Sequence, residues 1–281
     1  MTSIVPMRPR DISFAVRLSN QENWGIPRSD FRRILWLNQR GSFLALEGNS
    51  RIGMITTVVF EGGLAWIGNV IVDKQFRGRH IGQSLVQHAV SYLKSIRVNC
   101  IGLYCFSNNV GFYDTLGFVK DLEFLRLRRE GDLPYPVVRE LSEPLTLSRL
   151  IEIDRKGFGA DRSKLLRALI RTSNGTYFGF SSKRSAAYLM VKKYVDMYDF
   201  GPGVGINVSK VELAKLLSVG ISCARKRPIE LSCFAKNRTI LRLLETQGFR
   251  TINRGYRMFL NQRARLGNER DNYLLGFLDK G

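Results

Sequence analysis

"DKQFRGRHIGQSLV", Asp73 to Val86, sets two arginines, two glycines and a histidine between an apolar run and a segment of helical periodicity. The run before it, "LAWIGNVIV" (Leu64–Val72), reads as a strand, and Leu85, Ala89, Leu93 and Ile96 recur at helical spacing after it. A strand, a basic glycine turn and a helix N-terminus together make a general solution for holding phosphates. The first amides of a helix lack internal partners and the helix dipole is positive there; Gly78 and Gly82 let the backbone come close, and Arg77 and Arg79 add charge. The stretch is neither a P-loop, since no GxxxxGKS or GxxxxGKT occurs, nor a dinucleotide fingerprint, since GxGxxG is absent from it. A second glycine-rich run, "GPGVG" at Gly201–Gly205, carries no basic residue and reads as a plain turn.

At 281 residues the chain is long enough for two domains of about 100 to 150 residues each. With 44% hydrophobic and 24% charged residues the composition is that of a folded protein, and the formal net charge of +20 suggests an anionic partner without naming one. The opening "MTSIVPMRPR" lacks the apolar stretch of a signal peptide, and no apolar run approaches the roughly 18 residues that span a bilayer. A cytoplasmic protein with no membrane partner is expected. Cys100, Cys105, Cys223 and Cys233 show no CxxC spacing and read as buried, reduced thiols; His80 and His88 are too few for an evident zinc site, so no metal is expected.

Element order repeats along the chain. The first half reads as two helices, three strands in hairpin succession, the helix of the quoted stretch, a strand "CIGLYC", a short helix from Asn109 and a last strand "FVKDLEFLRLR". "REGDLPYPVV", Arg129 to Val138, breaks all periodicity and reads as a linker. Beyond it the same order returns, with a capping box at Ser209 and Glu212 opening the equivalent of the central helix. "YDTLGF" (Tyr113–Phe118) and "LETQGF" (Leu244–Phe249) both end a short helix in Gly-Phe before a last strand, so duplication is the better account.

"QFRGRHIG" after a strand and opening an amphipathic helix resembles the acetyl-CoA pyrophosphate loop of the GCN5-related N-acetyltransferase (GNAT) superfamily, whose pattern is Gln/Arg-x-x-Gly-x-Gly/Ala. Gln75 and Gly78 match its first two fixed positions, and His80 stands where the family prefers Gly or Ala. "NNVGFYDTLGF" resembles the later segment, in which a tyrosine matching Tyr113 precedes Gly-Phe. The resemblance implies an α/β (α+β) fold with two GNAT-like domains, each a mixed, mostly antiparallel sheet flanked by helices. It implies a catalytic domain at 1–130, a degenerate one at 139–262 that shapes the acceptor site, and a tail at 263–281.

Within that resemblance, the backbone of Val70, Ile71 and Val72 would hold the pantetheine arm of acetyl-CoA. Gln75, Arg77, Gly78, Arg79, His80, Ile81 and Gly82 would hold the pyrophosphate, Tyr113 would meet the thiol end, and Asn108 would also touch the cofactor. Tyr113 would protonate the departing thiolate after direct attack by a primary amine, of a small molecule or a peptide. The strand Leu64–Val72 carries no Glu to act as general base, which leaves Glu22, Glu61, Asp73 or a water; His88 reads as solvated. In the second half Leu244 replaces Tyr113 and no Arg-Gly loop precedes Ser209, so that half is expected to bind no acetyl-CoA. "GFGADRSKLLRALI" (Gly157–Ile170) resembles the C-terminal domain of a bacterial and archaeal tandem-GNAT group, with Gly159, Asp161 and Arg162 in a recurring patch. Two other readings stay open at this point: a nucleic-acid-binding protein, or a non-catalytic acetyl-CoA sensor, on the same scaffold. The acceptor and the oligomeric state are not legible.

Overall fold

The computed structural model of the protein describes residues 2–134, 145–171, 175–261 and 266–279. Residues 135–138 of the expected linker lie outside them.

The first half runs β1 (Thr2–Pro6), α1 (Ile12–Asn20), α2 (Arg28–Leu37), β2 (Phe43–Glu47), β3 (Ser50–Phe60), β4 (Leu64–Val72), α3 (Ile81–Ser95), β5 (Cys100–Phe106), α4 (Val110–Asp114) and β6 (Phe118–Arg129). The second runs α5 (Leu147–Phe158), α6 (Ser163–Ile170), β7 (Gly175–Ser181), β8 (Ala186–Lys193), β9 (Tyr198–Ile206), α7 (Lys210–Ala224), β10 (Ile229–Phe234), α8 (Arg238–Thr246), β11 (Arg250–Leu260) and β12 (Asn272–Leu274). The repeated order read from the sequence is the order observed.

The two halves share a single mixed sheet in the order β1-β2-β3-β4-β5-β11-β6-β10-β9-β8-β7, with β12 added to β9. β6 of the first half and β11 of the second each have both neighbours in the other half. β11 lies antiparallel between β5 and β6, with Gly255 opposite both Phe106 and Phe124, and β6 lies antiparallel between β11 and β10. Strands drawn from sequence-distant segments fill the edges beside β5 in the first half and β10 in the second, and an open edge would be a row of unmet backbone donors and acceptors.

Helices cover both faces. Ile81, Leu85, Val86, Ala89 and Leu93 of α3 pack on Ile52, Ala65, Ile67, Ile101 and Leu103, while α1 and α2 seat Phe14, Leu18, Phe31 and Ile34 against the opposite face. Between the halves, Val58, Phe60 and Trp66 meet Phe158, Tyr188 and Met190 in a common core. Buried ion pairs lie in the same region, and Asp30 takes part in two, holding Arg33 at 3.0 Å as well as Lys192. Lys192 of β8 binds Asp30 of α2, and Arg162 binds Asp154 at 2.6 Å with Tyr188 donating to the same carboxylate. Arg162 also stacks 3.7 Å over Phe158. The Gly159-Asp161-Arg162 patch is thus structural: Gly159 closes α5 at φ 88°, Asp161 accepts from the Ser163 amide, and Arg162 anchors the core.

"GPGVG" departs from expectation. It is not a turn but the interior of β9, and its glycines are there for close approach. A Cβ at Gly201 would sit 2.0 Å from the Leu275 carbonyl oxygen, and one at Gly203 would sit 2.8 Å from the Tyr273 ring. Residues 266–279, within the stretch expected as a tail, are what presses on them: Tyr273, Leu274, Leu275 and Phe277 are buried, and Asp279 reaches across to β4.

Candidate active site

β4 and β5 are parallel neighbours only over Leu64–Ile67 and Cys100–Leu103. Beyond Ile67 they diverge. The divergence coincides with a bulge on the β3 side, where the register steps from Met54↔Ile71 to Thr56↔Gly68 and Asn69 adopts φ 51°. Asparagine tolerates that left-handed backbone better than most residues, and here its side-chain Nδ2 donates 2.9 Å to Thr56 Oγ1, whose hydroxyl donates 3.1 Å to Gly68 O. The opening between the strands is the mouth of a cleft of about 940 Å³.

One wall is the β4 edge from Gly68 to Val72, which has no ladder partner on that side among the described residues. Val70, Ile71 and Val72 all lie on it, and an unpaired strand edge can take an extended ligand as if it were a further strand. The wall continues into the turn before α3. Arg77, Gly78, His80, Ile81 and Gly82 line the cleft. Gly78 has φ 77° with open space where a Cβ would be, and His80, the residue before α3, has φ 56°. His80 therefore occupies a left-handed conformation in which Gly is unstrained, and its ring leaves the backbone path by bonding Gln83 Oε1 at 3.2 Å. The opposite wall carries Tyr104, Cys105, Phe106, Asn109 and Tyr113.

Three expected ligands stand outside the cleft wall. Gln75 is exposed in the turn Lys74–Phe76, where its amide is capped by Asp73 Oδ1 at 3.2 Å. Arg79 turns away to Glu47 and stacks over Phe76, so Glu47 is held below the usual carboxylate range by the hydrogen-bonded guanidinium. Asn108 is exposed, and its neighbour Asn109 takes the lining position. Arg77 does reach the cleft, donating through Nε to Val72 O at 3.0 Å and pairing with Glu22.

Tyr113 projects from α4 between Phe112, 4.9 Å away by ring centroids, and Phe118, 5.8 Å away. Burial, reinforced by the neighbouring Cys105 thiol, raises its phenol above the usual tyrosine range. Cys105 is itself pushed up to about 12 by burial and donates to Met258 Sδ at 3.4 Å, which makes it a packing thiol. Of the candidate bases, Glu61 forms a backbone β-bridge with Asp161 and Asp73 accepts from Gln21 at 3.1 Å, and neither lines the cleft; Glu22 does. His88 is exposed, edge-on to Phe43 at 4.5 Å.

The far end of the cleft belongs to the second half and had no sequence signal. Tyr194, Met197, Asp199, Glu230, Phe277, Leu278 and Asp279 line it beside Arg126 of β6. Arg126 ties this wall together, donating to Glu230 at 2.9 Å and Asp199 at 2.9 Å. Burial raises Asp199 above the usual carboxylate range despite that contact. No local motif marks these residues, since they meet only through the shared sheet.

Comparison with known proteins agrees with this arrangement. The acetyltransferase (GNAT) family model matches residues 13–118, and a GNAT acetyltransferase domain model matches residues 150–274. The uncharacterized N-acetyltransferase YitH of Bacillus subtilis is 27% identical over 178 residues, 60% of this chain and 61% of that protein, so the match spans less than two thirds of that relative. Among solved structures, a Pyrococcus horikoshii protein described as a candidate acetyltransferase has a TM-score of 0.80 at 22% identity, covering 100% of this chain and 96% of its own. A tandem GNAT protein from the clavulanic acid biosynthesis pathway has a TM-score of 0.71 at 11% identity, over 94% of this chain and 100% of its own. The chain belongs to the GNAT acetyltransferase family, with one GNAT domain in each half.

Proposed function

We propose that this tandem GNAT protein transfers the acetyl group of acetyl-CoA to a primary amine by direct attack, with the donor held in the first-half cleft. The observation that carries the reading is the placement of an unpaired β4 edge, a left-handed glycine turn at a helix N-terminus and the Tyr113 phenol along one continuous cleft. The residues fit such a donor. Val70–Val72 offer a strand edge to the pantetheine amides, and the open space at Gly78, the free first-turn amides of α3 and the Arg77 guanidinium suit a pyrophosphate. Tyr113, kept protonated by its burial, is suited to give a proton to a departing thiolate.

Residues 1–130 thus form the catalytic unit in this reading, and residues 139–262 shape the acceptor end. Leu244, fully buried in the second-half core, stands where Tyr113 stands in the first, and that half offers no equivalent acid. Release of free CoA thiol on mixing the protein, acetyl-CoA and a panel of amines, amino acids, aminoglycosides and peptides tests the activity. Silence with every acceptor while acetyl-CoA binds would favour a sensor instead.

A further inference from the structure

β4 carries no carboxylate, yet one reaches it from residue 279. The backbone of Asp279 lies against Gly68, so closely that a Cβ at Gly68 would sit 2.7 Å from its Cα, and Asp279 Oδ2 accepts from Asn69 Nδ2 at 3.1 Å. A carboxylate only accepts, so this contact fixes which end of the Asn69 amide points at Asp279. Asn69 Oδ1 is then left, 95% buried by its residue's 5% exposure, with no donor among the described residues. A buried carbonyl oxygen without a donor carries an unrelieved desolvation cost that a ligand N–H would remove. Asn69 and Asp279 both line the cleft, at the point where β4 leaves β5.

Two acceptors side by side, one anionic, suit a donor that brings several N–H groups and a positive charge. Resting on the acetyl-transfer reading, we infer that Asn69 Oδ1 and the Asp279 carboxylate bind the acceptor as a primary ammonium, and that Asp279 receives its proton. The ammonium N–H bond breaks as the proton passes to an Asp279 oxygen. The freed lone pair forms the N–C bond to the acetyl carbonyl, the C–S bond breaks, and the thiolate takes the Tyr113 proton. The surplus proton on the new amide nitrogen returns to the phenolate through solvent, and Asp279 loses its proton to solvent before the next turnover. The carboxylate that β4 itself lacks is thereby supplied by residue 279.

The test compares Asp279→Asn with wild type on two probe amines at about pH 8, below the ordinary alkylamine range near 10. Propylamine is then largely an ammonium ion, whereas 2,2,2-trifluoroethylamine is already neutral. The inference expects kcat/KM with propylamine to fall by about 10²-fold or more, as for loss of a general base, with a much smaller fall for trifluoroethylamine. Acetyl-CoA affinity and the thermal midpoint should match wild type. Equal losses on both amines would make Asp279 a structural residue and overturn the inference, as would no loss on either. Wild type that binds acetyl-CoA but releases no thiol with propylamine would remove the ammonium site while leaving donor binding intact; wild type that binds no acetyl-CoA would instead bring down the reading beneath it.

Discussion

Gly255 of β11 lies opposite Phe124 of β6, and a Cβ on it would sit 2.6 Å from the Phe124 ring and 2.2 Å from the Cys105 carbonyl oxygen. A strand of the second half is thus clamped between two strands of the first with no room for a side chain. Gly255→Val should cost at least about 3 kcal/mol by overpacking, measured by urea unfolding, and should weaken acetyl-CoA binding some distance away. The same interlock predicts that residues 1–130 expressed alone lack a filled edge beside β5 and fail to give a cooperative unfolding transition. A stable, monomeric fragment would contradict the exchange.

Lys192 and Asp30 form the buried tie between α2 and β8, with Lys192 also bonding the Tyr194 hydroxyl at 2.7 Å. Removing one partner of a buried pair leaves a charge in a poor solvent. Asp30 also pairs with the buried Arg33 at 3.0 Å, so Asp30→Asn, which takes the carboxylate from both cations, should cost about 3–5 kcal/mol and more than Lys192→Met, which leaves Asp30 its second partner. A single-variant cost below about 1 kcal/mol would show that the pair is not desolvated in solution.

Glu22 occupies the Arg77 guanidinium across the mouth of the cleft, with both side chains partly exposed. Exposed pairs are worth at most about 1 kcal/mol, so the competition between Glu22 and an incoming pyrophosphate is mild. Glu22→Gln should tighten acetyl-CoA about two- to fivefold by calorimetry. Weaker binding in the variant would assign Glu22 to the acceptor or to the loop rather than to the charge balance at Arg77.

Tyr113 titrates above the usual range because burial disfavours its phenolate. The sign is that the acid form persists to higher pH, so Tyr113 itself should impose no alkaline fall in the rate below about pH 10. Tyr113→Phe should lower kcat by about 10²-fold with acetyl-CoA affinity unchanged. An alkaline limb near pH 8, or an unchanged kcat, would take the acid role away from this residue.

What was legible in the sequence was local. The α3 turn, its glycines and its helix periodicity sit within fourteen consecutive residues, Asp73 to Val86, and the fold places Arg77, Gly78, His80, Ile81 and Gly82 among them along the cleft. Arg79 escaped because its partner, Glu47, lies on β2, and no spacing rule links the two. "GPGVG" read as a turn because glycine and proline punctuate loops, while the reason for glycine there, the press of Tyr273 and Leu275 on β9, is tertiary. The exchange of β6 and β11 left no trace in either strand, since both mix apolar with charged residues in a way that reads as a strand but names no partner. Asp279 carries no motif at all; only its seat on Gly68 and Asn69 gives it a place in the cleft.

Both halves belong to one family, yet among the described residues the basic glycine turn, the open strand edge and the Tyr113 phenol come together in the first, while Leu244 takes the tyrosine's place in the second. Titrating acetyl-CoA into the protein by calorimetry, to about 1 mM, puts this asymmetry to the most direct test. The prediction is saturable binding of one acetyl-CoA per chain, abolished or severely weakened when Gly78 is replaced by Val at its left-handed φ of 77°. No saturable heat, two molecules per chain, or undiminished binding to Gly78→Val would contradict it.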